Sequence, residues 1–283
     1  MSEKPCTMRG AMKRIEANGI VMSYAEAGPE EAPAVLLIHG LGWDAWRLWS
    51  GVLASLAGAG FRVLAPNLRG VGGTQATGEA YSTALYAEDL LAFLDALGLS
   101  RVRVVGFSMG ASIAGKLLER APEKVASLSL ACGGLHATEE GMRGVEAMLS
   151  RAETLGPDAF AAEQAEAIFR PAWAAAHRGE VEDFKRWRAG MDQSALFRAF
   201  RSGRGTDQRA TVKTAAADGL PVQVIAADAD TFLPLDDLRA LASAIPGARL
   251  DVICACGHMA TIEQPEAFER ALLEFLLSQG DGS

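Results

Sequence analysis

"VVGFSMGAS", residues 104–112, sets a serine between two glycines, after an apolar run and before a string of small residues. The valine-rich RVRVVGF (101–107) reads as a strand, and MGASIAGKLLERA (109–121) carries helical spacing. Ser108 therefore falls at a strand-to-helix turn. A bare G-x-S-x-G is common by chance, but in that setting it has a mechanical meaning. A turn this sharp strains its central residue and projects the hydroxyl from the strand end, and side chains at Gly106 and Gly110 would collide within it. Ala111, Ser112, Ala114 and Gly115 let the helix pack close to the sheet. The helix start directs free N–H groups and partial positive charge at the spot where an oxyanion would form.

The same alternation runs outward from this turn. RIEAN and IVMSYAEA, around Asn18-Gly19, read as a hairpin. AVLLI (34–38) is a continuous apolar run, as expected of a strand buried on both faces. A helix is expected over 45–59, a strand over 61–65, a helix over 82–98 with a Ser start and a Gly stop, and a strand over 125–131. From 134 to 220 the rhythm breaks into alanine-rich helical stretches (138–155, 157–169, 180–190 and 193–201). It resumes with PVQVIAA (221–227), a helix at 235–244, ARLDVIC (248–254) and a helix at 265–278. The expected fold class is α/β, a mostly parallel central sheet flanked by helices. Residues 1–133 and 221–283 form the core, and 134–220 an inserted helical unit. No internal repeat or low-complexity segment interrupts this pattern.

A serine hydroxyl needs a base, and the chain has four histidines. His39 follows AVLLI directly, in HGLG. His136 and His177 fall in the helical insertion. His258 follows the last strand, in ACGHM, and parallel strands gather their C-terminal ends at one sheet edge, so His258 is the best base. The base in turn needs an orienting acid. DADTFLP after strand 221–227 offers Asp228 and Asp230, in the order Ser, Asp, His. Gly40 and Gly42 allow the HGLG loop to approach the serine, so the N–H groups of Leu41 and Met109 are the expected oxyanion donors. His39 is expected to brace that loop through its ring.

HGLG, GFSMG, DxxxP and GH, in this order, resemble the α/β-hydrolase fold superfamily. LAPNLRGVGGT (64–74) is similar to that family's D-x-R-G-x-G-x-S loop, and residues 81–130 are similar to its nucleophile region throughout. The resemblance covers nearly the whole chain outside 134–220. In the family the acid stands four residues before a proline that opens the next helix, which selects Asp230 over Asp228 through Pro234. Asn67 replaces a usual Asp, Val71 a common His, and Ala111 a frequent glycine; none of these removes a catalytic atom. A serine nucleophile disfavours the dehalogenase and epoxide-hydrolase branches.

The resemblance makes 134–220 a cap that sets the substrate. Trp43, Trp173 and Trp187 are the candidates for its pocket wall. Eight basic residues stand against two acidic ones between 185 and 213. A solvated helix face is the ordinary reading of such a run, and a site for a substrate carboxylate is the alternative. The expectation is a cofactor-free, metal-free serine hydrolase of a small to medium ester or lactone, similar to 3-oxoadipate enol-lactonases and carboxylesterases. The rivals are C–C hydrolysis, perhydrolysis or lyase chemistry on the same three residues, and a non-catalytic ligand receptor.

Composition narrows the partners. The chain has 283 residues, 49% of them hydrophobic, and a net charge of −8. That excess of acid argues against nucleic acid and anionic membrane surfaces. The expected partners are a small-molecule substrate and, as an option, a second copy in a homodimer. The first residues lack an apolar core of signal-peptide length, and no window approaches ~18 uninterrupted apolar residues. Cys6, Cys132, Cys254 and Cys256 form no C-x-x-C pair and read as small buried hydrophobes in a reducing cytosol. A cytoplasmic location is therefore expected.

Overall fold

The computed structural model describes residues 12–280; Cys6 and the amino-terminal stretch lie outside them. Eight strands form one sheet: β1 (Lys13–Ala17), β2 (Ile20–Ala27), β3 (Ala34–Ile38), β4 (Arg62–Pro66), β5 (Val102–Phe107), β6 (Val125–Ala131), β7 (Val222–Ala227) and β8 (Arg249–Ile253). Their order across the sheet is β1-β2-β4-β3-β5-β6-β7-β8. β2 runs antiparallel to both its neighbours, and every other pairing is parallel. The hairpin joining β1 to β2 turns at Asn18 and Gly19, both at positive φ, the backbone that a two-residue turn between twisted strands requires.

Helices cover both faces. Before β6 come α1 (Ala45–Gly58), α2 (Thr83–Ala96) and α3 (Met109–Arg120). Between β6 and β7 lie α4 (Glu139–Leu155), α5 (Pro157–Ile168), α6 (Pro171–Ala176), α7 (Arg178–Ala189), α8 (Gln193–Arg201) and α9 (Arg209–Ala217). After β7 come α10 (Leu235–Ala244), the single turn α11 (Ala260–Glu263) and α12 (Pro265–Ser278). Alternate residues of each strand feed opposite faces. Leu36, Ile38, Val104 and Leu130 join one core with α2, α3 and α10. Val35, Leu37, Val105 and Phe107 join the other with α1 and α12. The continuous apolar reading of AVLLI thus reflects burial from both sides.

Three helices depart from the sequence expectations. α6 is only six residues long and opens on Pro171, which sets its first turn but gives too few residues for a periodic signal. α9 occupies 209–217, inside the insertion but beyond the four helical stretches expected there, and stops before Gly219. α11 is a single turn. Among the described residues no helix is long and apolar enough to cross a membrane.

Sheet register places the site. Ile38 pairs with Gly106, Phe107 with Ala131, Ala131 with Ile225, and Ala227 with Ile253. The loops after β3, β5, β7 and β8 therefore leave the same edge. The chain also reverses its lateral direction at β3, with β4 on one side and β5 on the other. Such a switch opens a crevice beyond the strand ends.

Candidate active site

Ser108 forms the tip of the β5–α3 turn at φ 53°, ψ −118°, a left-handed backbone rare for a residue with a side chain. Its N–H donates to the Ala131 carbonyl (2.8 Å), and the Ala111 N–H donates to its own carbonyl (2.9 Å), which together hold the strained residue. The flanking glycines are needed for space. A Cβ on Gly106 would meet the Gly110 carbonyl oxygen at 2.2 Å, and one on Gly110 would meet the Ile38 carbonyl oxygen at 2.3 Å.

His258 Nε2 lies 3.0 Å from Ser108 Oγ, and its Nδ1 lies 2.8 Å from Asp230 Oδ2. The other carboxylate oxygen of Asp230 accepts from the N–H groups of Phe232 (2.8 Å) and Leu233 (3.0 Å). The acid is thus anchored by the chain just before Pro234. His258 and Asp230 are buried, and Ser108 is half-buried. The rings of Phe107 and Phe232 pack beside the imidazole. Asp228 has a different place. Its two oxygens accept from Ala255 N–H (2.9 Å) and Cys256 N–H (3.0 Å), bracing the loop that carries His258. Glu263 braces the same loop from the other side, accepting from Gly257 N–H at 3.0 Å.

The β3–α1 loop closes on this turn. A Cβ on Gly40 would stand 3.1 Å from the Cβ of Ser108. Leu41 and Met109 flank Ser108 in the wall of one cavity, and Met109 opens α3, so its N–H belongs to the unpaired set at a helix start. His39 is buried behind the loop. Its Nδ1 contacts the Gly40 carbonyl (2.8 Å), and its Nε2 accepts from Leu68 N–H (2.9 Å). That pattern requires neutral imidazole protonated on Nδ1, and burial pushes its pKa down to about 4. Asn67, in the place of the usual acid, uses both ends of its amide: Oδ1 accepts from Ala45 N–H (2.7 Å) and Nδ2 donates to Ser23 Oγ (2.8 Å).

The cavity above Ser108 has a volume of about 530 Å³. Its floor is Gly40, Leu41, Ser108 and Met109, and its roof is side chains of α4, α5, α7 and α8. A larger surface groove of about 700 Å³, between α3 and α9, contains none of these groups. Trp43 lines the cavity, but Trp173 and Trp187 do not. Trp173 stacks between Phe169 and His177, and Trp187 packs on Trp43 beneath Arg47. Trp187 thus packs directly on Trp43, while Trp173 backs Phe169, which meets Trp43 edge-on.

The basic run of 185–213 is mostly a solvated face. Lys185 pairs with Glu182, Arg186 with Asp183, Arg201 and Arg204 with Glu146, and Arg209 with Asp207. Arg188 is the exception: it is 3% exposed and lines the cavity. Sequence spacing contained this signal, since Val181, Phe184 and Arg188 are the buried residues of α7 and fall on one helical stripe. Gln164, buried in the cavity wall on α5, carried no such mark. Cys132 and Cys256 are buried, which raises both thiol pKa values, while Cys254 is exposed. Among the described residues no cluster of three His, Cys, Asp or Glu could hold a metal ion.

The family model described as the alpha/beta hydrolase fold matches residues 33–199. A Variovorax paradoxus protein, RutD, to which carbamate hydrolysis is provisionally assigned, is 31% identical over 261 residues, spanning 90% of this chain and 96% of its own. A crystal structure of a hydrolase from Pseudomonas aeruginosa superposes with a TM-score of 0.85 at 28% identity, covering 95% of this chain and 99% of that one. The enol-lactonase of Burkholderia xenovorans superposes at 0.84 with 24% identity, covering 94% and 100%, a likeness of fold.

Proposed function

The chain belongs to the α/β-hydrolase fold family, and on that premise we propose that it is a serine hydrolase cleaving a small to medium ester or lactone through an acyl-enzyme. The observation that carries this reading is the unbroken line from Asp230 through His258 to the strained Ser108. Ser108 Oγ attacks the carbonyl carbon while His258 Nε2 takes its proton. Asp230 keeps the imidazole's other proton on Nδ1 and stabilises the cation that forms. Negative charge gathers on the carbonyl oxygen, beside the N–H groups of Leu41 and Met109. Removing one such donor costs about 3 kcal/mol in the transition state. The tetrahedral species collapses, and His258 protonates the departing alkoxide. Water, deprotonated by His258, then attacks the acyl-Ser108 carbonyl, and the second collapse frees the acid and returns the proton to Ser108.

In this reading residues 134–220 are a cap over the nucleophile, and the aliphatic and aromatic walls of the cavity suit a small-molecule acyl group. The same two steps accept a carbamate in place of an ester, the activity provisionally assigned to the Variovorax relative. The test is turnover of 4-nitrophenyl acetate, 4-nitrophenyl butyrate, γ-butyrolactone and a phenyl carbamate by wild type and Ser108→Ala. The reading expects turnover of at least one in wild type and none in the variant. Equal turnover by both would remove Ser108 from the chemistry. Cleavage of a vinylogous diketone without any ester turnover would select the C–C hydrolase instead.

A further inference from the structure

Arg188 is a buried cation whose neighbours in the chain do not neutralise it. Its Nη1 donates to the Gly42 carbonyl at 2.8 Å and touches Met191 Sδ at 4.0 Å. The guanidinium lies over the Phe184 ring, and its Nε is buried with no hydrogen-bond partner. No carboxylate among the described residues pairs with it, in contrast to the ion-paired arginines around it. Burial alone pushes its pKa down to about 9, which still leaves it charged at neutral pH. A buried charge is expensive unless it is paired. Bracing one loop carbonyl uses one of five donors and needs no charge at all.

The loop makes room for this group. A Cβ on Gly42 would fall 1.3 Å from Nη1, so the guanidinium occupies the place a side chain would take, beside Leu41. Across the same cavity Gln164 donates only to Met148 Sδ (3.9 Å), and its buried Oε1 has no partner. The cavity that holds the nucleophile thus has one unpaired positive charge and one unpaired amide oxygen in an otherwise mainly apolar wall.

We propose that Arg188 is the carboxylate-binding residue of this cavity, and that the substrate is an ester or lactone carrying a second, ionised carboxylate. One guanidinium matches one carboxylate, by a charge-assisted and geometrically specific pair. A dianionic phosphate would leave charge uncompensated among apolar side chains. Gln164 Oε1 accepts from a hydroxyl or amide N–H elsewhere on the same substrate. This assignment rests on the hydrolase reading for the bond that breaks, but not for the carboxylate that binds.

The test compares mono-4-nitrophenyl succinate, glutarate and adipate with uncharged 4-nitrophenyl esters of equal length. In wild type at least one charged ester should exceed its neutral partner by about tenfold or more in kcat/KM, mainly through KM. Arg188→Met should lower kcat/KM for the charged ester by about tenfold or more and so bring that ratio close to one, as expected when one member of a buried charge pair is removed. Arg188→Lys, which keeps the charge but not the fork, should fall between. Absence of any preference in wild type, or an unchanged ratio in Arg188→Met, overturns the assignment. If Arg188→Met does not fold, the wild-type preference and the Arg188→Lys ratio decide it. Calorimetry on Ser108→Ala with monomethyl and dimethyl glutarate separates the two readings. Selective binding of the monoanion without turnover by wild type would sustain the carboxylate site and sink the hydrolase. Ester turnover with no selectivity for the anion would do the reverse.

Discussion

Asp228 and Asp230 stand two residues apart, and replacing each by asparagine should have unlike effects. Asp230 Oδ1 accepts from two backbone N–H groups, while Oδ2 faces His258 Nδ1. In Asp230→Asn the amide oxygen stays with those two donors, so the –NH₂ turns toward His258. Two donors cannot share a hydrogen bond, so the imidazole presents its lone pair at Nδ1 and carries its proton on Nε2. Nε2 then donates to Ser108 and cannot accept its proton. A wrong tautomer of this kind costs about 10,000-fold in kcat, or about 5.5 kcal/mol. The fold should barely notice, because Asp and Asn have nearly the same shape. Asp228→Asn loses one of two backbone acceptors in the loop that carries His258. That costs about 1 kcal/mol of stability and less than about tenfold in turnover. The assay is steady-state hydrolysis of 4-nitrophenyl butyrate, or of the best ester found, with urea midpoints measured alongside. Equal losses in the two variants, or a larger loss in Asp228→Asn, would refute the assignment of Asp230.

His39 gives a pH prediction. Its pKa is near 4 in the folded chain, against an ordinary value of 6.5, so the unfolded chain binds more protons between those pH values. Stability therefore falls as pH drops from 6.5 to 4, by about 3 kcal/mol from this group (2.5 units at 1.36 kcal/mol each). His39→Gln should flatten that limb of a urea-midpoint series, whereas parallel curves would contradict the neutral, doubly hydrogen-bonded ring. Gly106→Ala should drive its new Cβ into the Gly110 carbonyl and cost about 1–3 kcal/mol in chemical denaturation. Wild-type stability in that variant would mean the turn is looser than described.

The positions of the strands, the turn at Ser108 and the sheet edge that gathers the loops were legible because each follows from apolar runs and turn residues read along the chain. Apolar runs marked strands buried on both faces, and glycines at 106 and 110 marked a turn with no room for side chains. The resemblance selected Asp230 over Asp228 through Pro234, and in the structure it is the Asp230 carboxylate that faces His258, held by the N–H groups of Phe232 and Leu233. The helical middle was less legible. α6 and α9 are short and capped by few signals, and the faces that line the cavity depend on how six helices pack together. Trp173 and Trp187 illustrate this, since aromatic character does not say which ring reaches the cavity and which supports it. Arg188 was hidden among seven other basic residues between 185 and 213, and only its phase with Val181 and Phe184 on α7 set it apart.

Labelling with a fluorophosphonate tests the nucleophile most directly. Wild type should form a single covalent adduct, located at Ser108 by peptide mass spectrometry, while Ser108→Ala takes up none. An unlabelled wild type, or equal labelling of Ser108→Ala, would contradict the assignment of Ser108 and the chemistry built on it.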